Sequence, residues 1–163
     1  ARYREMENKH ETIIVTGFVH PSAVPEVGAW RGAAFILRTK TCTATRNDLP
    51  ILMVHHAVLR LMQRANVANV NQALTWLLPA FNYVNLLEPR PPAEGVLLPC
   101  TSGAVVGIQD KSDPTTWVFV TYIDEDKLRP EQRAELAERK RRLAETLPTF
   151  RITPLPLHPV ALA

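Results

Sequence analysis

A block near the amino terminus, residues 11–45, constrains the fold of this chain more than any other stretch of its sequence. It holds a β-branched, apolar segment at residues 12–19, a connection rich in proline and glycine, and a second apolar segment at residues 32–45. β-Branched and aromatic residues favour strands, and a glycine inside a strand, such as Gly17, is typical of a bulge or a sharp bend. The block therefore predicts two strands of a small, strongly bent β-sheet.

The middle of the chain, about residues 50–95, predicts a helical insertion. Four apolar residues recur there at helical spacing, namely Ile51, Val54, Val58 and Met62. Residues 51–58 fit a strand as well, so both interpretations stay open, and a second helical stretch is expected at residues 71–78. The uncharged residues 65–87 are long enough to cross a membrane, but their Asn and Gln side chains would need partners in lipid. We therefore predict a buried, proline-interrupted helix and no membrane span.

Two later elements and a tail complete the prediction. Residues 115–123 are apolar on both faces, which predicts a strand that is buried on both sides. Residues 129–146 predict a helix that lies on a surface, because Pro130 suits its first turn and its apolar seam is narrow. We predict an α+β fold with an arm at 1–10, a domain at 11–124, a helix within 125–147 and an extended, Pro-rich tail at 148–163.

Basic residues cluster in the second predicted strand and its flanks. The net charge of the chain is only +3, but residues 27–47 hold no acidic residue and four cationic ones. Alternation puts Arg38 and Lys40 on one face of the strand, and Trp30 in the adjoining loop offers a ring for base stacking. The candidate nucleic-acid-binding residues are Trp30, Arg31, Arg38, Lys40 and Arg46. The alternative is an exposed polar strand face with Trp30 capping the core.

A second basic run and the apolar residues near the carboxyl end form two further candidate surfaces. The run at residues 139–142 either binds nucleic acid or is the solvated side of a helix whose glutamates pair with it. The narrow helix seam and the apolar tail predict docking on other protein subunits of a large assembly. The candidate partner-binding residues are Leu136, Leu143, Leu147, Phe150 and Leu155.

Patterns that carry catalysis or bind metals are weak in this sequence. His55 and His56 are adjacent, so on a helix they point about 100° apart, and no CxxC or HExxH pattern is present. Ser102 lacks the nucleophile-elbow pattern, and the glycines do not form a phosphate-binding loop. Cys42 and Cys100 fit free thiols in a reducing compartment, with a single disulfide as the alternative. We therefore expect no catalytic residue, no metal, no cofactor and no enzymatic activity.

Three segments resemble a known fold. Ile14-Val-Thr-Gly-Phe-Val-His20 followed by Ala34-Phe-Ile-Leu-Arg-Thr39 is similar to the first two strands of single-stranded-DNA-binding-protein-type OB folds. It is also similar to the OB folds of kinetoplastid mitochondrial RNA-editing proteins. Thr116-Trp-Val-Phe-Val-Thr-Tyr-Ile123 resembles the strand that closes such a barrel. The resemblance implies an OB-like β-barrel with a helical insertion, and it implies that Arg38 and Lys40 contact a single strand.

The expected function is that of a non-catalytic subunit that binds RNA or single-stranded DNA within a mitochondrial ribonucleoprotein, either a ribosome or an RNA-processing assembly. The alternative is a structural subunit of a large complex that contacts only protein. The sequence begins at Ala1 without an initiator methionine, so removal of a mitochondrial transit peptide is one explanation and a shortened sequence is another. The expected location is the mitochondrial matrix.

Overall fold

The computed structural model describes residues 2–7, 10–19, 29–38, 41, 43–146 and 152–153. Its strands are β1 (Arg2–Glu7), β2 (His10–Val19), β3 (Ala29–Arg38), β4 (Thr43–Val54), β5 (Val96–Pro99), β6 (Ala104–Gln109), β7 (Trp117–Ile123) and β8 (Ile152–Thr153). Its helices are α1 (His55–Arg64), α2 (Val70–Trp76), α3 (Leu78–Leu86) and α4 (Pro130–Thr146), with a 3₁₀ turn at Glu125–Lys127. A sheet with helices packed on it confirms the predicted α+β class.

The strands form one sheet in the order β5-β6-β7-β4-β3-β2-β1-β8. Strands β4 and β7 run parallel, and the other neighbouring pairs are antiparallel. A parallel pair needs a long crossover connection, and here that connection contains α1, α2 and α3. The five strands β3 to β7 therefore form a mixed sheet on which these helices pack.

The described sheet is open, so the predicted closed OB-like barrel is not formed by these residues. Closing a barrel requires hydrogen bonds between its two edge strands, and the described strands do not pair β5 with β8. Helix α4 packs against β5, the strand at that end of the sheet. The apolar faces are buried by helices, which removes the need for the sheet to close on itself.

The predicted second strand at residues 32–45 is a hairpin and not one strand. Strand β3 ends at Arg38, β4 begins at Thr43, and these two residues face each other in an antiparallel register. The apolar alternation continues across the reversal, so periodicity alone does not reveal the turn. The first predicted strand corresponds to β2, and part of the predicted amino-terminal arm forms β1, which pairs with β2.

Strand β4 extends further than predicted and contains a register shift. Arg31 faces Leu52, whereas Ala33, two residues later, faces Asp48, so β4 holds extra residues around Pro50. A bulge suits proline because proline has no backbone N–H to donate to the ladder. The strand therefore continues beyond residue 45 and into the predicted helical insertion, and the helix begins only at His55.

The main hydrophobic core lies between α1, α2, α3 and one face of the mixed sheet. At the centre of this core, Ile51 and Met53 of β4 lie beside Trp117 and Phe119 of β7 in the parallel register. The helices add buried residues that include Leu61, Leu77, Phe81 and Tyr83. Gly32 permits this packing, because a Cβ there would lie 3.1 Å from Phe81 Cε2 and 3.2 Å from Ile51 Cβ.

The uncharged residues 65–87 contain two short helices and not one long helix. Helix α2 ends at Trp76, and α3 begins at Leu78 with a proline in its first turn. Among the described residues, no helix combines the length and the apolar character that a membrane crossing requires.

Helix α4 is the predicted surface helix and buries two leucines. Leu136 packs with Leu97, Ala104 and Leu128 in a small second cluster, while Leu143 joins the main core. Most other residues of α4 are exposed or half-buried. The predicted tail at 148–163 lies largely outside the described residues, apart from β8, whose two residues pair with β1.

Candidate nucleic-acid interface

One face of the β3–β4 hairpin presents exposed aromatic, aliphatic and cationic side chains together. Directly opposed residues of an antiparallel pair point to the same side of the sheet. Phe35 faces Arg46 and Leu37 faces Ala44 in the register. Phe35 and Leu37 are each 36% exposed. We call this side the Phe35 face; its residues on β3 and β4 are Arg31, Ala33, Phe35, Leu37, Ala44, Arg46 and Asp48.

Arg31 belongs to the Phe35 face because side chains alternate along β3 and its register with β2 is regular. The Arg31 side chain is exposed, and Ala33, between Arg31 and Phe35, is buried. Phe35 is four positions after Arg31, which places them about 13 Å apart along the strand. A cation thus lies at each side of the exposed ring, Arg46 across the ladder and Arg31 along the strand.

Arg46 forms an ion pair within the same face. Its Nε donates to Asp48 Oδ1 at 2.9 Å, and its Nη2 lies 2.8 Å from the same oxygen. Both side chains are 46% exposed, so the pair is solvated and stabilises the fold by about 1 kcal/mol or less. The acid lies just beyond the acid-free block, and its two-residue spacing from Arg46 would have indicated the pair once β4 was recognised as a strand.

Arg38 lies on the opposite side of the hairpin from Arg31 and Arg46. It is exposed and faces Thr43 in the register. It is seven positions after Arg31, which corresponds to roughly 23 Å along the strand. Lys40, the other cation predicted for that side, lies outside the described residues. The described cations of the predicted set therefore do not form one line on one face.

Trp30 packs against the main core and is half-buried. This placement matches the interpretation in which Trp30 caps the core. An exposed ring of the hairpin is instead Phe35, which alternation along β3 places on the side opposite to Arg38. An apolar residue at a strand position does not reveal from sequence whether anything covers it.

The predicted partner-binding leucines of α4 are used within the chain. Leu136 is 4% exposed and Leu143 is 5% exposed, because each packs into a hydrophobic cluster of this chain. The packing therefore assigns both to the chain's own core and not to a partner surface. The other three predicted partner-binding residues, Leu147, Phe150 and Leu155, lie outside the described residues.

The basic run on α4 makes contacts within the chain. Arg139 pairs with Glu135, Arg141 pairs with Glu138 and Glu145, and Arg142 Nη1 donates to Tyr83 Oη at 3.1 Å. Lys140 takes part in none of the ion pairs found among the described residues. The glutamate pairs of Arg139 and Arg141 match the interpretation in which glutamates pair with the run, whereas Arg142 packs on the buried Tyr83.

Two observations concern the residue types that were considered for metal binding and nucleophilic catalysis. No cluster of three or more His, Cys, Asp or Glu side chains that could hold a metal occurs in the described ranges. Cys100 is a buried free thiol, and burial raises its pKa well above the ordinary value of 9.0. A thiol that stays protonated at neutral pH is a poor nucleophile.

One cavity among the described residues is lined by neutral side chains. It has a volume of about 630 Å³, and Trp76 and several amide side chains line it. Two of these amides are engaged locally, since Asn69 Oδ1 accepts from Gln72 N at 2.9 Å and Gln72 Oε1 accepts from Ala68 N at 3.1 Å. They cap α2, so this groove offers few polar groups for a ligand. A smaller cavity beside α4 carries charged groups.

Comparisons with known proteins give no match for this chain among protein-family models, curated proteins or solved structures.

Proposed function

We propose that this chain is a non-catalytic subunit of a ribonucleoprotein assembly and that the Phe35 face binds single-stranded RNA. The observation that carries the proposal is an exposed aromatic ring opposite one arginine, with a second arginine on the same face. Single-strand-binding strands combine cations that follow the phosphates with rings on which bases stack. Stacking on a ring is worth about 1–3 kcal/mol per base, so a single platform gives modest, salt-dependent affinity.

From the resemblance to OB folds, the proposal takes the use of a strand face for binding. It does not require a closed barrel. The similarity of residues 14–20 and 34–39 to OB folds of mitochondrial RNA-editing proteins makes a mitochondrial assembly part of this proposal. Arg38, on the other side of the hairpin, belongs to the proposal as a secondary contact, and the resemblance adds Lys40, which lies outside the described residues.

A structural subunit that contacts only protein is the second candidate. Two observations favour it: Asp48 pairs with Arg46, and Leu37 adds an exposed aliphatic side chain beside Phe35. Apolar residues beside neutralised charges are more typical of protein interfaces than of polyanion sites. The first candidate predicts salt-dependent binding to a bare oligonucleotide, and the second predicts no binding.

The test is fluorescence anisotropy of the purified chain with labelled oligo-U across a salt series. RNA binding predicts a linear fall of log affinity with log salt concentration, because bound cations release counterions. Arg31→Glu/Arg46→Glu should weaken binding at every salt concentration and make the slope shallower by about 2. Phe35→Ala should weaken binding about 5- to 100-fold with little change in slope.

The matched control reverses two exposed charges elsewhere, in Lys111→Glu/Arg129→Glu. The net charge change is the same, so a nonspecific electrostatic effect would weaken binding equally in both double variants. Undiminished binding in Arg31→Glu/Arg46→Glu would reject the Phe35 face. A folded chain that binds no oligo-U at low salt would reject RNA binding and favour the protein-only subunit.

A further inference from the structure

The smaller cavity lies between the turn that joins β5 to β6, the 3₁₀ turn and α4. Its volume is about 210 Å³, which corresponds to the space of about seven water molecules. Leu128 and Leu136 form its apolar floor, and its polar groups come from Gly103, Glu125, Arg133 and Lys140. It is thus a small, charged cavity with an apolar base.

Two hydrogen-bond donors of the β5–β6 turn point at one carboxylate oxygen in this cavity. Ser102 Oγ donates to Glu125 Oε2 at 3.0 Å, and Gly103 N approaches the same oxygen at 3.5 Å. The second distance is at the limit of a hydrogen bond, so the carboxylate does not satisfy the Gly103 N–H well. The turn thus presents two donors that suit an anion, and the Glu125 carboxylate satisfies them only in part.

The turn is held rigidly in this arrangement. Trp76 Nε1 and Tyr122 Oη each donate to the carbonyl oxygen of Ser102 at 3.0 Å. Gly103 has φ of +68°, and an added Cβ there would lie 2.4 Å from the Ile123 carbonyl oxygen. Because only glycine fits this conformation without strain, the direction of the Gly103 N–H is set by the fold.

The cavity carries more positive than negative charge. The Ser102 hydrogen bond lowers the pKa of Glu125 most, followed by the Gly103 N–H, and the Lys140 and Arg133 cations add to the effect. Arg133 is anchored by donating Nε to the Leu128 carbonyl at 3.1 Å. Lys140 has no ion-pair partner among the described residues, so two cations face one carboxylate and the Lys140 ammonium is available to a ligand.

We propose that this cavity binds a phosphate group, which accepts hydrogen bonds from Gly103 N–H, Ser102 Oγ and Lys140 Nζ while the Glu125 side chain turns outward. A phosphate offers acceptor oxygens in several directions, whereas one tethered carboxylate reaches only part of the donor set. Backbone N–H groups next to a lysine are a recurrent combination at phosphate sites.

This site is separate from the Phe35 face. Strands β4 and β7 are parallel, so the carboxyl end of β7, beside the cavity, lies at the end of the sheet opposite to the β3–β4 turn. Phosphate binding in the cavity therefore does not depend on RNA binding by the Phe35 face. Either of the two experiments can give a negative result without the other.

The test is amide NMR of the full chain titrated with inorganic phosphate at constant ionic strength, with Gly103 N–H as the reporter. We expect a saturable shift of the Gly103 signal in the parent chain. Lys140→Gln should lower the phosphate affinity at least tenfold. Glu125→Gln should raise it severalfold, because the competing charge is removed. Lys127→Gln, which removes an exposed cation paired with Asp126, is the matched control and should leave the affinity unchanged.

A second titration with oligo-U distinguishes the sources of the phosphate. A Gly103 shift with inorganic phosphate alone indicates a small phosphorylated ligand, and a shift with both indicates the RNA backbone; each supports the site. The proposal is overturned if Gly103 shows no saturable shift in either the parent chain or Glu125→Gln. It is also overturned if chloride at equal ionic strength produces the same shift, or if Lys127→Gln weakens binding as much as Lys140→Gln.

Discussion

Strand β7 and the outer part of the β3–β4 hairpin use similar residues in opposite surroundings. Phe119 of β7 is fully buried, because it lies in the main core where helices pack on the mixed sheet. Phe35 of β3 is 36% exposed, and residues 43–48 opposite it are exposed throughout. A strand pattern therefore reports that a segment is extended, while burial depends on what packs over it.

The largest expected effect comes from the same substitution made in both regions. Phe119→Ala should lower the free energy of unfolding by about 3–5 kcal/mol, because it leaves a cavity in a fully enclosed site. Phe35→Ala should lower it by about 1 kcal/mol or less, because solvent and neighbouring side chains fill the space. Urea unfolding of the two variants measures both values. Equal losses would show that the hairpin is covered as completely as β7.

Gly103→Ala should produce the next largest effect. The added methyl group would collide with the Ile123 carbonyl oxygen, and alanine is strained at φ of +68°. We expect a loss of about 1–3 kcal/mol in the free energy of unfolding. Gly95→Ala is the control, since its Cβ would meet only ordinary or slightly close neighbours, the nearest being Ile108 Cγ2 at 3.2 Å. A loss in Gly95→Ala as large as in Gly103→Ala would contradict the role assigned to the turn.

Alkaline pH should lower the free energy of unfolding of the chain through ionisation of the Cys100 thiol. Burial raises the pKa of this thiol in the folded chain, while in the unfolded chain the thiol ionises near its ordinary pKa of 9.0. Stability is unaffected well below that pH and is lost as pH rises above it, by about 1.4 kcal/mol per pH unit until the folded thiol also ionises.

Chemical unfolding of the parent chain and Cys100→Ala at pH 7 and pH 10 checks this expectation. Other groups titrate equally in both chains, so the difference between their pH dependences isolates the thiol. The parent should lose more stability than Cys100→Ala between the two pH values. Parallel losses would mean that the thiol reaches solvent in the folded chain.

Asp48→Asn should have the smallest effect on stability, and it should strengthen oligo-U binding. Asp48→Asn breaks a solvated pair, so the free energy of unfolding should change by about 0.5 kcal/mol or less. The same change releases Arg46 from its partner on the Phe35 face, so affinity for oligo-U should rise severalfold and fall more steeply with salt. Weaker oligo-U binding by a stably folded Asp48→Asn would argue against phosphate contacts by Arg46.

The sequence predicted best those elements whose signals are local. Strand β7 appeared as a continuous apolar run, and α4 as an amphipathic pattern that begins with Pro130. The β3–β4 reversal and the long strand β4 escaped prediction, because alternation crosses the turn and Pro50 resembles a turn signal. Pro50 is accommodated by a bulge that exists only because β3 pairs with β4.

The candidate site was predictable in composition but not in arrangement. The acid-free block, residues 27–47, covers all of β3 and the first residues of β4, where the candidate site lies. Which cations share a face depended on where β4 starts, and this register joined Arg46 to Phe35 and separated both from Arg38. The small charged cavity was not predicted from the sequence, because Gly103, Glu125 and Lys140 come from three elements that are distant along the chain.

The sequence by itself determined the α+β class, the helical amphipathicity of α4 and the extended character of β2, β3 and β7, since these follow from side-chain periodicity over neighbouring residues. Only the tertiary structure decided the open mixed sheet, the burial of Leu136 and Leu143, the exposure of Phe35 and the assembly of the small charged cavity. The physical reason is that periodicity is a local property, whereas burial, ion pairing and cavity formation depend on which segments come into contact. Crossover connections and bulges determine those contacts.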